Sequence, residues 1–256
     1  MATLLFATGL TGLIAAYTAL LVFDMSQLAV LVSEDGLIES LGALFFGLAG
    51  GVFVYLYVKT RARTVMRWPR LKGNVFFLLL GIAMLFVAME EISWGQRIIR
   101  FPTPEAIRSL NLQEEFNIHN LWLFHGKTET GERKSFWALM LNMDRLFSLF
   151  WFTFCFVIPL LAATVVPIRK FLETMPFPIP PLYLGILFVA NYIVSKMVVI
   201  GQSGPFQHWS VEIKESIIAL LFLLVSIWFL QRHRANLGEE ERRFSSTAGE
   251  SGYRTQ

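Results

Sequence analysis

Six stretches of about twenty residues carry apolar side chains and almost no charge, and that feature leaves few folds open to the chain. They cover approximately residues 3–23, 38–58, 74–92, 146–166, 182–201 and 212–231. At about 1.5 Å per residue, each is long enough as an α-helix to cross a hydrocarbon core of about 30 Å. Lipid offers no hydrogen bonds, so a crossing segment must pair its own backbone groups. The expected fold is therefore all-α, a polytopic transmembrane helix bundle of about six spans. Composition agrees: 55% of the 256 residues are hydrophobic and only 16% are charged, which is too few charges for the surface of an ordinary soluble domain. The net charge of +3 is read as orientation and attraction to anionic lipid, with no nucleic-acid partner implied.

Basic residues in short loops set the expected orientation. The link between the second and third spans holds Lys59, Arg61, Arg63, Arg67, Arg70 and Lys72 without an acid. Arg169 and Lys170 follow the fourth span, and Arg232, Arg234, Arg242 and Arg243 follow the sixth. With six spans all three groups fall on one side, expected to be cytoplasmic together with both termini. The first 23 residues have no basic n-region, so the first run is read as a retained span. Residues 1–237 then form the transmembrane domain. Residues 93–145 form a long outer loop, expected to be partly helical, and the polar stretch 238–256 is expected to be a disordered cytoplasmic tail. The glycines of the second span suggest close helix contact and a central position for it. The prolines of PFPIPP, residues 176–181, break the chain between spans four and five. Cys155, the single cysteine, lies in an apolar run and is read as a small packed hydrophobe.

On this topology three of the four histidines and 14 of the 19 acids lie at or near the outer face. They form four clusters, each on a different helix end or on the long loop. In SEDGLIES, Asp35 and Glu39 share a helical face, and Ser33, Glu34 and Asp35 also suit a helix cap. At the end of the third span Glu90, Trp94 and Arg97 recur at helical spacing. They read either as an interfacial ion pair with an aromatic anchor or as part of a site. In the loop, NLQEEFNIHN sets Glu115 and His119 four residues apart among Asn111, Gln113, Asn117 and Asn120, a metal-site spacing and equally that of a polar surface helix. In FQHWSVEIKES, His208, Glu212 and Glu215 fall on one stripe as the last span begins. Carboxylates entering a span must face protein, water or a cation, and Lys214 or Lys196 could pair with them.

Together these clusters nominate a divalent-metal site, zinc being the natural occupant of mixed nitrogen and oxygen donors, with His119, His208, Glu115 and Glu212 as ligands. No HExxH, CxxC or Walker-type pattern supports it. As catalytic groups the reading nominates Glu90, Glu212 and His208, and as substrate-binding groups Arg97, Asn120 and Trp94, with Arg97 placed to hold an anionic head group.

The segments SEDGLIES, EEISWGQRI and NLQEEFNIHNL, between residues 33 and 121, resemble a family of uncharacterised bacterial multi-span membrane proteins. That resemblance implies a shared outer-face site and a bacterial inner (plasma) membrane location. A weaker similarity is to intramembrane metal hydrolases that include alkaline ceramidases, in which histidines, an aspartate and a serine gather near one membrane face. Those proteins have seven spans and several histidines within helices, where this chain has six runs and deep acids. The expected function is an integral membrane protein whose outward polar His/Glu site binds or processes a lipid head group with a divalent metal. One alternative is a non-catalytic subunit or assembly factor, its 24 Phe and seven Trp touching a membrane-protein partner. The other is a transporter using Glu39, Lys196, Glu212 and Glu215 as a polar path.

Overall fold

The computed structural model of the chain describes residues 1–32, 36–61, 73–126, 128, 132, 134–200, 202 and 204–252; the side chains of Met25, Arg97, Trp137, Glu240, Glu241 and 243–252 lie outside that description. Ser33, Glu34, Asp35, Arg63, Arg67, Arg70 and Lys72 therefore fall outside the described residues. Those described are mostly helical, without a β-strand. The helices are α1 (Ala2–Val22), α2 (Met25–Leu31), α3 (Leu37–Thr60), α4 (Val75–Glu91), α5 (Gln96–Ile99), α6 (Glu105–Arg108), α7 (Phe136–Leu139), α8 (Met143–Trp151), α9 (Ile158–Thr164), α10 (Val166–Glu173), α11 (Leu182–Val198) and α12 (Pro205–Gly252). A π-helical turn, Phe152–Val157, joins α8 to α9.

Four rods are long and apolar enough to cross a membrane: α1, α3, Met143–Thr164 and the first part of α12. The remaining two apolar runs form α4 and α11, 17 residues each, or about 26 Å of helix. The ends lie close to the sequence boundaries, except that α12 begins at Pro205 and so takes in the whole His208 cluster.

The helix at the centre is α12, contrary to the expectation for the second span. It packs on α3, α1 and α11, and its apolar stretch is the most buried of the four long rods. The reason is visible in its side chains: Ile218, Leu221, Phe222 and Val225 on one stripe, and Ala219, Leu224 and Ser226 beside it, are nearly inaccessible, so more than one face of the helix meets protein. Of the glycines of α3, Gly42 lies near Ser216 of α12, while Gly47 and Gly50 face α4. Gly50 lies against Leu85 of α4, and Gly81 of α4 lies against the Val54 backbone, so the two helices approach closely.

Buried polar groups tie the rods together. The Tyr17 hydroxyl donates to Asn191 Oδ1 (2.9 Å), and Asn191 Nδ2 donates to the Lys214 carbonyl (2.9 Å), linking α1, α11 and α12 through a fully buried asparagine. Asn74 caps α4 by accepting from the Phe76 amide (3.1 Å) and donates to the Pro176 carbonyl (2.6 Å). Cys155 is buried, as its apolar setting suggests. Where the sequence leads one to expect a disordered tail from residue 238, the backbone of α12 stays helical through Gly252. The run Glu239–Arg243 consists of strong helix formers extending a helix already nucleated by the core.

Candidate functional site

The N-terminal ends of α3, α8 and α12 and the C-terminal end of α4 meet at one end of the bundle, with residues 112–125 lying over them. Between them is a cavity of about 650 Å³. Its polar wall holds Glu39 from α3, Glu90 and Glu91 from α4, His119, Asn120 and His125 from the loop, Asp144 from α8, and His208, Glu212, Lys214 and Glu215 from α12. Its apolar wall is made by Phe46, Met84, Phe86, Val87, Phe147 and Phe150, among others. Residues from all four sequence clusters thus line one space, the first represented, among the described residues, by Glu39.

Several local expectations are corrected. Glu90, Trp94 and Arg97 do not share a helical face, because α4 stops at Glu91 and both Ser93 (φ 47°) and Trp94 (φ 55°) adopt the left-handed region. Two consecutive non-glycine residues there cost roughly 1–3 kcal/mol each, and side chains hold them in place. Ser93 Oγ donates to Glu115 Oε2 (2.6 Å) and Trp94 Nε1 donates back to Glu90 Oε1. Trp94 also sets its ring edge-on to Phe86, 5.8 Å between centroids. The Arg97 side chain, nominated for an anionic head group, lies outside the described residues.

Glu115 and His119 do not sit on a helix either. Residues 111–121 form a closed loop, pinned at its ends by the Leu112 amide on the Asn120 carbonyl (2.8 Å) and the Trp122 amide on the Leu110 carbonyl (2.9 Å). Asn111 organises the interior: its Oδ1 accepts from the amides of Gln113 (2.9 Å) and Glu115 (3.3 Å), and its Nδ2 donates to Asn117. Short amide side chains that bond nearby backbone, as Asn111 does here, compete with helix formation, and three asparagines lie within residues 111–120. Glu115 consequently faces Ser93 and Asn117, while His119 faces the cavity. Asn120 lines the cavity too, donating to Gln113 Oε1.

Glu90 is the anchor of this loop. Its carboxylate is 5% exposed and accepts from the amides of Ile118 (2.7 Å) and His119 (2.8 Å) and from Trp94, with His119 Nδ1 3.2 Å away. So many donors saturate it, which suits a positioning role better than proton exchange. His208 and Glu212 stay paired on α12 as expected, Nδ1 to Oε1 3.7 Å, and both line the cavity. Glu215 takes the bland partner foreseen for it, Lys214 Nζ at 3.0 Å. Lys196 lies over the Tyr192 ring instead.

The four nominated metal ligands do not converge: His119 pairs with Glu90, His208 with Glu212, and Glu115 turns to Ser93. Among the described residues no three His, Cys, Asp or Glu side chains are grouped to hold a metal ion. The donor set expected for zinc is therefore not assembled by those side chains.

His125, Asp144 and Asn142 were missed as wall residues in the sequence. Asn142 accepts from the Arg145 amide (3.1 Å) as the cap of α8 and donates to the Phe124 carbonyl (2.9 Å), fastening the loop to the bundle. The asparagine followed two residues later by an acid is a helix-start signal that could have revealed it. Burial holds the His125 imidazole below its usual range, more than Asp144 pulls it up. Comparison of the chain with protein-family models, with curated proteins and with solved structures finds no match.

Proposed function

We propose that this is an integral membrane protein of six spans whose cavity binds the polar head of an amphiphile at the outer face, both termini being cytoplasmic. The observation that carries the reading is the cavity's two-sided wall: titratable groups from α3, α4, α8, α12 and the loop face aromatic and aliphatic side chains across about 650 Å³. A lipid-sized ligand needs that combination, apolar area for its chain and a few convergent polar groups for its head. Orientation is supported by Lys59, Arg61, Arg169, Lys170, Arg232 and Arg234, all at the bundle end away from the cavity. His208 and Glu212 are the pair best placed to exchange a proton with a bound head group.

The test is mass spectrometry of organic extracts from purified protein. Wild type should retain an amphiphile at roughly equimolar level, and Ala83→Trp or Ser148→Phe, which fill the cavity without touching its titratable groups, should lose it. Wild type that holds no amphiphile above detergent background refutes the proposal. A second reading, a non-catalytic subunit, is favoured by Ile98, Ile99 and Leu123, which stand exposed on the outer loop. It would show itself in the same preparation as a stoichiometric protein partner.

A further inference from the structure

The charge of the cavity wall is lopsided. Among the described residues six carboxylates line it, Glu39, Glu90, Glu91, Asp144, Glu212 and Glu215, against a single lysine, Lys214, already paired with Glu215 at 3.0 Å. Glu90 is occupied by the loop amides and His119. The others are contributed by four helices, α3, α4, α8 and α12, that bring their acids to one end, within apolar surroundings where like charges reinforce one another's field. Beneath them the rings of Phe46, Phe147 and Phe150 cluster, 5.9 Å between the first two and 6.3 Å between the last two. Aromatic faces attract cations and alkyl chains alike.

A second cavity, about 560 Å³, lies along the α3–α4 seam and is lined mainly by Ala43, Leu44, Leu48, Leu85, Ala88 and Met89. It shares Glu39 and Glu91 with the first. Those two carboxylates therefore stand on the wall between the two cavities.

We propose that the ligand is a cationic amphiphile, an alkylammonium head held among Glu39, Glu91 and Glu212 with its hydrocarbon chain against the apolar walls. This rests on the amphiphile-binding reading above and adds the sign of the head group. A cation gains from every carboxylate in the chamber, a neutral head gains only hydrogen bonds, and an anion is repelled.

Equilibrium binding of three C12 probes, dodecylammonium, dodecanol and dodecanoate, to the full-length protein in a non-ionic detergent at neutral pH separates the possibilities. Dodecylammonium should bind about tenfold or more tighter than dodecanol, a preference worth about 1.4 kcal/mol per factor of ten, with dodecanoate weakest. Glu39→Gln and Glu212→Gln should each weaken dodecylammonium binding more than dodecanol binding, so that the preference for the cation shrinks. Equal binding of all three probes, or a preference untouched by both substitutions, overturns the cationic head and leaves the amphiphile reading standing. Saturable binding of none overturns both. Because the probe series is run on wild type, a variant that fails to fold does not rescue the proposal.

Discussion

At the scale of single residues, Glu90 does the most organising. A buried carboxylate facing two amides, an indole N–H and an imidazole is a fixed point to which the loop is attached. Glu90→Gln presents an amide N–H to groups that are themselves donors, leaving buried groups unpaired at about 1–3 kcal/mol each. The variant should lose several degrees of thermal stability, and limited proteolysis should cut within residues 111–121 before the bundle unfolds. An unchanged melting temperature and an uncut loop would show that Glu90 does not hold it. Spacing alone could not identify this role. Glu90, Trp94 and Arg97 fit a helical period, but the period says nothing about the left-handed turn at Ser93 and Trp94, which depends on partners elsewhere in the chain. The same is true of Glu115 and His119: their four-residue spacing is real, but the surrounding asparagines close a loop. By contrast His208 and Glu212 lie on a continuous helix, where spacing does determine proximity, and there the sequence reading holds.

Among the elements, the rod Met143–Thr164 shows how one proline reshapes a helix. Pro159 has no amide to offer the Cys155 carbonyl four residues earlier, and the π-helical winding of Phe152–Val157 is the local accommodation. That carbonyl is where α11 comes closest, since a Cβ on Gly185 would lie only 2.0 Å from its oxygen. Gly185→Ala must push backbone away from backbone and should destabilise the bundle by about 1–3 kcal/mol, measurable as a lower unfolding midpoint in detergent. A neutral effect would mean that α11 does not seat against the π turn. Helix positions were legible from hydrophobic runs because length and apolarity are properties of each segment alone. Which rod is central was not, since α12 and α3 read alike until their neighbours are known; the buried asparagine Asn191 bridging α1 and α12 is likewise a fact of assembly.

For the whole molecule, the cavity-lining acids and histidines sit at one end of the rods and the described basic residues Lys59, Arg61, Arg169, Lys170, Arg232 and Arg234 at the other. Neither group is contiguous in sequence; alternation of chain direction sorts them. The account stands or falls on His119 and His208 sharing a chamber although 89 residues separate them in the chain. In a Cys155→Ala background, single cysteines at positions 119 and 208 should both react with a membrane-impermeant maleimide added from the same side of sealed vesicles. Both should also be protected by dodecylammonium. Labelling of the two positions from opposite sides would contradict the shared cavity and every proposal built on it.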